Sequence, residues 1–356
     1  MDDEHYDGTK LLSLTDVNGN KPEIYLCTAN RTGGKTTFFN RMLVNCFLKK
    51  SEKFMLLYRY GYELEGVADT FFKDIGGLFF SKYTMKAVKQ GRGVYYDLYL
   101  CDKTIADDAG KHCGYACAIN SADAVKKKSH FFSDVSTILF DEFQSETNNY
   151  CPDEVRKFIS IFVSVARGKG QMHRYVRVIM VSNPVSLINP YYTKLGISYR
   201  LNNNTKFLRG DGWVLEQGFV NSASEAMKNS GFIRAFSDDK YVAYASENVY
   251  LNDNMSFIET PTGRSKYICT IKYKENDYAI RTYPDSNIVY CDNTADLTYP
   301  YKISVTTEDH NINYVMLTNN DVFISGLRKY FERGCFRFKN LEAKEAVMCM
   351  ISHRTY

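Results

Sequence analysis

Short apolar runs alternate with helix-like segments through the first half of the chain. The apolar runs lie at residues 24–27, 54–58, 135–140 and 176–181. Helical patterns lie at residues 37–48, 63–72 and 152–166. A short, uninterrupted apolar run predicts a strand that is covered on both faces, and strands that alternate with helices predict a mainly parallel sheet. We therefore expect an α/β domain whose ligand lies at the carboxyl ends of the strands.

The pattern changes past about residue 205, where strands of alternating polarity replace the apolar runs. Such strands lie at 267–272, 278–283, 287–291 and 302–306, and helical patterns follow at 321–333 and 341–353. We expect a first domain over residues 1–205, which begins with a polar arm at 1–20. A linker segment over 206–237 and a C-terminal α+β domain over 238–356 are expected to follow.

A β-rich insertion interrupts the first domain, with strands expected at 93–100 and 114–119 that pair with each other. The insertion and the segment after it hold His112, Cys113, Cys117 and His130. These residues suggest either a zinc site or buried thiols in a hairpin. Their spacing matches no familiar zinc site, which favours the buried thiols.

Composition narrows the class of protein. Ten cysteines in 356 residues lack the close spacing of a disulfide framework and indicate reduced thiols. The N-terminus is acidic and polar, unlike a signal peptide. No apolar run approaches the ~20 residues that a membrane-spanning helix needs. We expect an intracellular protein without a membrane partner.

The net charge is only +4, but the basic residues are unevenly placed. No acidic residue lies between Glu154 and Asp211, an interval that holds ten lysines and arginines. A polyanionic partner such as nucleic acid explains this bias. Solvated faces whose counter-charges come from elsewhere in the fold explain it equally well.

The first apolar run leads directly into a loop that is typical of phosphate binding. The expected nucleotide-binding residues are Ala29, Asn30, Arg31, Thr32, Gly33, Gly34, Lys35, Thr36 and Thr37. Glycines allow consecutive backbone N–H groups to converge on a phosphate at a helix N-terminus, and the lysine reaches the β- and γ-phosphates. Ala29 stands where the usual pattern has its first glycine. Strand, loop and helix in this order predict a P-loop for ATP.

The third apolar run ends in two adjacent carboxylates, Asp141 and Glu142. In a P-loop enzyme the first carboxylate, together with the Thr36 hydroxyl, would hold Mg²⁺, and the second would polarise the attacking water. Successive residues of an extended strand face opposite sides, so we expect the two acids to serve two tasks. An apolar run before Asp-Glu is a weak signal alone and a strong one combined with Lys35.

The fourth apolar run ends at Asn183, which precedes a proline. A polar side chain here could sense the γ-phosphate or orient the water, although Asn before Pro is also a common turn. Lys35, Asp141 and Asn183 each follow a predicted strand, so all three are expected at one edge of the sheet.

Three further groups of polar residues are candidates for function, and the first two have two interpretations each. Arg167 ends a predicted helix; it is either an arginine finger or a cation favoured by the helix dipole. Lys126, Lys127 and Lys128 form a basic cluster. It contacts phosphate, either of nucleic acid or of a neighbouring subunit's nucleotide, or it is a loop that contacts only solvent. Asn148 and Asn149, in the loop just past Glu142, are candidates for gripping DNA.

With these motifs the chain resembles the DNA-packaging motor ATPases of small, short-tailed, protein-primed bacteriophages. These proteins are relatives of the large terminases among the additional-strand P-loop ATPases. The matching stretches are residues 29–36, 135–143, 148–155, 165–167 and 181–192, with a more diffuse match near 325–338.

The resemblance implies a homo-oligomeric ring of five subunits that docks on the portal vertex of an empty procapsid in the host cytoplasm. Such a ring drives double-stranded DNA inward with ATP and Mg²⁺. Glu142 would be the catalytic carboxylate, Arg167 a finger that enters a neighbouring subunit's site, and Lys128 a residue that acts between neighbours. The C-terminal domain would resemble an RNase H nuclease without its metal-binding acids. Some relatives dock on a structural RNA, and the sequence does not decide this point.

Two other functions use parts of the same pattern. A helicase or recombination-type ATPase would need the same nucleotide residues, but no further helicase motif is present. A nucleotide-dependent adaptor with little turnover would not need Glu142.

Overall fold

The chain forms two compact units in a computed structural model. The structure describes residues 5–147, 149–168, 172–198, 200–201, 205–247, 250, 257–316 and 321–352. The first unit comprises Met1–Tyr191 with Leu201–Asn252, and the second comprises Tyr192–Arg200 with Asp253–Tyr356.

A single twisted sheet organises the first unit. Its strands are β1 (Ile24–Ala29), β2 (Lys53–Tyr58), β3 (Tyr83–Gln90), β4 (Tyr95–Asp102), β5 (Lys111–Ala118), β6 (Val135–Asp141), β7 (Arg177–Ser182), β8 (Phe207–Gly210) and β9 (Trp213–Gly218). Their order is β3-β4-β5-β2-β6-β7-β1-β9-β8. The six neighbouring strands β5, β2, β6, β7, β1 and β9 pair in parallel, whereas the pairs β3–β4, β4–β5 and β9–β8 at the two edges are antiparallel. The expected mainly parallel sheet is confirmed.

Helices connect these strands. They are α1 (Thr9–Ser13), α2 (Lys35–Lys50), α3 (Val67–Phe79), α4 (Ala122–Lys126), α5 (Glu154–Val165), α6 (Pro190–Lys194), α7 (Asn221–Lys228), α8 (Gly231–Ala235) and α9 (Lys240–Glu247). Phe39, Leu43 and Phe47 of α2 recur at helical spacing and are buried in the core with Tyr25 of β1. This packing holds α2 against the strand that precedes it.

The boundary expected at residue 205 differs from the observed one. Strand β9 pairs in parallel with β1, so the segment expected as a linker completes the first sheet. The strand was not predicted because the charged Glu216 interrupts its apolar pattern. The residue is buried because the Tyr6 hydroxyl donates a hydrogen bond to Glu216 Oε2 at 2.7 Å. Tyr6 and Leu11 are themselves buried, so residues 6–14 are packed rather than a free polar arm.

The second unit is built on another sheet. Its strands are β10 (Lys266–Tyr273), β11 (Asn276–Tyr283), β12 (Ile288–Asp292), β13 (Lys302–Ser304), β14 (Val315–Met316) and β15 (Phe336–Phe338). Helices α10 (Asp321–Glu332) and α11 (Leu341–Ser352) pack their apolar residues into its core. The expected α+β unit is confirmed, and its finer likeness to RNase H stays a prediction.

The β4–β5 hairpin is confirmed, and its thiols are buried within it. Cys113 Sγ donates to the carbonyl of Leu98 at 3.3 Å, and His112 Nδ1 lies 2.8 Å from Lys53 Nζ. Across the described ranges, no three or more His, Cys, Asp or Glu side chains are grouped so as to hold a metal ion. No described helix is both long and apolar enough to span a bilayer.

The contact between β2 and β5 gives a test of the sheet. Gly114 pairs with Phe54, and a Cβ at Gly114 would lie 2.3 Å from the Phe54 carbonyl oxygen. We expect Gly114→Ala to lower the free energy of unfolding by about 1–3 kcal/mol, because two strands must move apart. Gly77 is exposed in α3 with open space at its Cβ position, so Gly77→Ala should stabilise by roughly 0.5–1 kcal/mol. Thermal unfolding measures both, and equal melting temperatures would contradict the register.

Candidate nucleotide site

The loop between β1 and α2 has the geometry of a phosphate cradle. Thr32 and Gly34 adopt left-handed backbone conformations, with φ of 61° and 87°. A Cβ on Gly33 would lie 2.9 Å from Val220 Cγ2, so this position has no room for a side chain. Helix α2 begins at Lys35 without a side-chain cap. Its first N–H groups are therefore free to bind an anion, which the helix dipole also favours.

Lys35 is the cation of this loop and is only 8% exposed. Its Nζ donates to Asn183 Oδ1 at 2.6 Å and lies 3.4 Å from the Asn30 carbonyl oxygen. Burial lowers the pKa of Lys35. The expected convergence of Lys35 and Asn183 is thus a direct contact between the ends of β1 and β7.

The carboxylate at the end of β6 lies beside the helix start. The Thr36 hydroxyl at the start of α2 is near enough to the Asp141 carboxylate to act against the rise in its pKa. Burial, followed by the charge of Glu142, raises the pKa of Asp141 to about 6. Hydroxyl and carboxylate oxygens are the ligands that Mg²⁺ prefers. Thr36 and Asp141 therefore fit a magnesium ion that accompanies a nucleotide.

Glu142 does not continue the strand, contrary to the expectation of extended alternation. Strand β6 ends at Asp141, and Glu142 has a φ of 56°. A left-handed non-glycine residue is strained by roughly 1–3 kcal/mol and persists only where its surroundings hold it. Its side chain is exposed and lines a cavity of about 270 Å³ together with Asn183 and Arg31. The two acids are thus separated by a sharp turn rather than by strand alternation.

Two of the remaining loop residues, Ala29 and Asn30, have structural roles. Both polar groups of the buried Asn30 side chain bond to the backbone of Val220, at 3.1 and 2.9 Å. Ala29 pairs with Gly218 of β9, which leaves space for its methyl group in place of the usual glycine. Thr37 lies in the first turn of α2. Asn30 and Ala29 thus shape the loop without offering side chains to a ligand.

Arg31 is bound to residues that the sequence did not single out. Its guanidinium pairs with Glu146, whose carboxylate also accepts a hydrogen bond from Tyr244 Oη at 2.7 Å. The rings of Tyr241 and Tyr244 lie 5.4 and 5.7 Å from the Arg31 guanidinium carbon. The buried Arg31 Nε has no hydrogen-bond partner among the described residues. A buried donor left open beside the P-loop fits an anionic ligand.

Arg167 lies outside this cleft. It follows the C-terminal end of α5, is exposed, and has no hydrogen bond or ion pair with the residues that the structure describes. Gly168, with a φ of 115°, packs where a Cβ would lie 2.7 Å from Ser133 Cβ. This contact places Arg167 beside the short 3₁₀ segment Ser129–Phe132, whose N-cap is Lys128.

The predicted basic cluster lies on the surface, whereas Asn149 of the amide cluster lines the cavity beside Glu142. Lys126, Lys127 and Lys128 are exposed at the end of α4, which packs against α5. Asn149 is exposed, and its Oδ1 accepts a hydrogen bond from Tyr60 Oη at 3.2 Å. Asn148 lies outside the described residues. The three lysines and Arg167 are thus exposed and are not among the residues that line the cleft.

Fold and site together define the class of protein. Strand β7 lies between the P-loop strand β1 and the Asp141 strand β6, which is the arrangement of an additional-strand P-loop domain. The chain belongs to the podovirus DNA encapsidation protein (Gp16) family, whose model matches residues 3–355.

Individual relatives extend this result. The chain is 28% identical to the DNA packaging protein of Bacillus phage phi29 over 313 residues, which are 86% of each chain. Its fold matches the bacteriophage Phi-29 viral genome packaging motor assembly with a TM-score of 0.68 and 24% identity, over 98% of this chain and 99% of the other. It also matches the Phi-28 gp11 DNA packaging motor with a TM-score of 0.61 and 16% identity, over 99% and 100%. These likenesses establish the fold of the whole chain.

The raised pKa of Asp141 predicts a gain in stability when its charge is removed. A carboxyl group with a higher pKa in the folded state binds its proton more tightly there, so stability falls as pH rises from 3.8 to about 6. At pH 7.5 we expect nucleotide-free Asp141→Asn to melt at a higher temperature than the parent protein. This difference should vanish near pH 4.

Asp74, exposed on α3, provides the matched control. Asp74→Asn should change the free energy of unfolding by no more than about 0.5 kcal/mol at either pH. A lower melting temperature for Asp141→Asn at pH 7.5 would mean that attraction to Lys35 outweighs burial.

Proposed function

We propose that this chain is an ATPase subunit of a motor that drives double-stranded viral DNA into a procapsid. The observation that carries the proposal is the direct contact of Lys35 with Asn183, with Thr36 and Asp141 beside it. These contacts assemble cation, metal ligands and sensor at one edge of the sheet. Glu142 at the adjoining cavity supplies the group that hydrolysis needs.

Each residue of the site has one role in ATP hydrolysis. Backbone N–H groups of residues 33–36 and the Lys35 ammonium hold the phosphates of ATP. Thr36 and Asp141 would hold Mg²⁺, which would neutralise charge at the phosphates when bound. Glu142 accepts a hydrogen bond from the attacking water and orients it, and Asn183 fixes the position of Lys35. General-base assistance of this kind contributes typically 10²–10⁴-fold in rate.

The site is incomplete within one subunit under this proposal. Phosphoryl transfer gains about 10³–10⁵-fold from an arginine that neutralises developing charge. Arg31 is paired with Glu146, whereas Arg167 is exposed, lies outside the cleft and has no partner in the described part of the chain. We assign Arg167 to the site of a neighbouring subunit in a ring, five subunits being the expected number. The exposed apolar side chains Ile159 and Val163 on α5 fit the same contact.

The DNA-gripping surface is assigned to the exposed lysines at the end of α4 and to the loop past Glu142. Packaging accepts any sequence, so the contacts are expected to go to phosphates and to weaken steeply with salt. Lys126, Lys127 and Lys128 provide positive charge, and the loop at Asn148 and Asn149 begins directly after the Glu142 turn. The chemistry of the cleft is thereby connected to DNA through a short segment.

Variants of the cleft test hydrolysis directly. We expect Lys35→Ala to lose nucleotide binding, because the phosphates lose their cation. Glu142→Gln should bind Mg·ATP with unchanged affinity and hydrolyse it about 10²–10⁴-fold more slowly. Glu225→Gln, on the exposed face of α7, is the matched control and should behave as the parent protein.

The assay is ATP turnover with and without linear double-stranded DNA, together with DNase-protected DNA in procapsids. Hydrolysis by Glu142→Gln at near the parent rate would overturn the catalytic assignment. An ATP turnover that is unaffected by DNA and by procapsids would favour the adaptor. Stimulation by DNA without protection in procapsids would favour a helicase-type ATPase.

A further inference from the structure

A buried arginine holds the turn that carries Glu142. Arg59 follows the last residue of β2 and is 7% exposed. Its Nη1 donates to the Glu142 carbonyl at 3.2 Å, and its Nη2 donates to the Phe143 carbonyl at 2.7 Å. One guanidinium therefore binds two consecutive carbonyl groups of the strained turn.

The backbone of the turn makes two further contacts. The Phe143 N–H donates to the Val181 carbonyl at 3.2 Å, and the Glu142 N–H donates to Asp141 Oδ1 at 3.0 Å. The peptide plane between Glu142 and Phe143 is thus bound at both polar groups, its N–H by Val181 and its carbonyl by Arg59. Arg59 also binds the next carbonyl along the chain, that of Phe143. It is therefore the side chain that helps to set the direction in which the Glu142 side chain leaves the backbone.

Arg59 is itself fixed by a buried carboxylate at the start of α5. Its Nε donates to both carboxylate oxygens of Glu154, to Oε1 at 3.2 Å and to Oε2 at 2.9 Å. Glu154 is 3% exposed and also accepts from the Cys151 N–H at 2.8 Å and from Tyr191 Oη at 2.9 Å. A fully bonded acceptor of this kind leaves the guanidinium one orientation.

The geometry points to Arg59 as a positioning residue that aims the Glu142 carboxylate at the attacking water, with Glu154 as its anchor. This inference rests on the proposed role of Glu142 as the catalytic carboxylate. Only an arginine can make these contacts together, because its planar fork offers five donors in fixed directions. A lysine keeps the charge but presents a single rotating point of attachment.

The test combines Arg59→Lys and Glu142→Gln in a double-mutant cycle. We expect Arg59→Lys to bind Mg·ATP with parent stoichiometry and Kd, and to lose about 10²-fold in kcat, since a misplacement near 1 Å costs this much. In the Glu142→Gln background the same change should alter kcat by less than about twofold, because Arg59 acts through a carboxylate already removed.

A merely structural role gives a different pattern. Arg59→Lys would then lower kcat by the same factor in both backgrounds, or reduce the nucleotide stoichiometry, and either result overturns the inference. A parent-like kcat for Arg59→Lys also overturns it. Hydrolysis by Glu142→Gln at the parent rate would instead defeat the proposed function, whatever Arg59→Lys does.

Two further variants keep the test decisive. Arg281 makes the same kind of contacts in the second unit, to Asp292 and to the Thr294 carbonyl, both at 2.9 Å. Arg281→Lys is the matched control and should leave kcat unchanged. If Arg59→Lys fails to fold, Glu154→Gln replaces it in the cycle, since it weakens the anchor without emptying the site. An equal loss of kcat with and without Glu142 would again overturn the inference.

Discussion

The buried ammonium of Lys35 is the constraint on which the first unit depends. A cation removed from water is costly unless hydrogen bonds and opposite charges replace the lost solvation. Asn183 Oδ1 accepts a hydrogen bond from this ammonium group at 2.6 Å, and the charge of Asp141 at the end of β6 attracts it. The site thus holds a buried ammonium group at a helix start, where a phosphate can replace part of the lost solvation. Strands β1, β6 and β7 must be adjacent for this arrangement to exist.

Two kinds of restraint then orient the chemistry. Glycines and left-handed residues bring the backbone close to the ligand, as at Gly33, while arginines bind backbone or side-chain acceptors around the cavity. Arg59 holds the Glu142 turn, and Arg31 is held by Glu146 and the tyrosines of α9. A nucleotide that draws Arg31 toward its phosphates would compete with Glu146 and with α9. The cleft is therefore mechanically connected to elements on two sides.

The sequence predicts what local patterns determine. Apolar runs located the strands that hold the site, and glycines before Lys35 located the loop. It could not predict β9, whose Glu216 is buried only because Tyr6, 210 positions away, satisfies it. It could not predict the left-handed conformation of Glu142 either, since the side chain that binds this turn is Arg59, which follows strand β2. Glu146 and Tyr244 were missed for the same reason: their contacts join segments that no local spacing relates.

The most direct test of a site shared between subunits is a mixing experiment. Glu142→Gln and Arg167→Ala proteins are each confirmed to be inactive with DNA and then combined in equal amounts. In a ring with random assembly, about a quarter of the interfaces would join an intact Glu142 to a neighbour's intact Arg167. If the interfaces act independently, a site shared between subunits should restore ATP turnover to about a quarter of the parent rate. No recovery from folded proteins that still assemble together would contradict it, and would place Arg167 in its own subunit's site or outside catalysis.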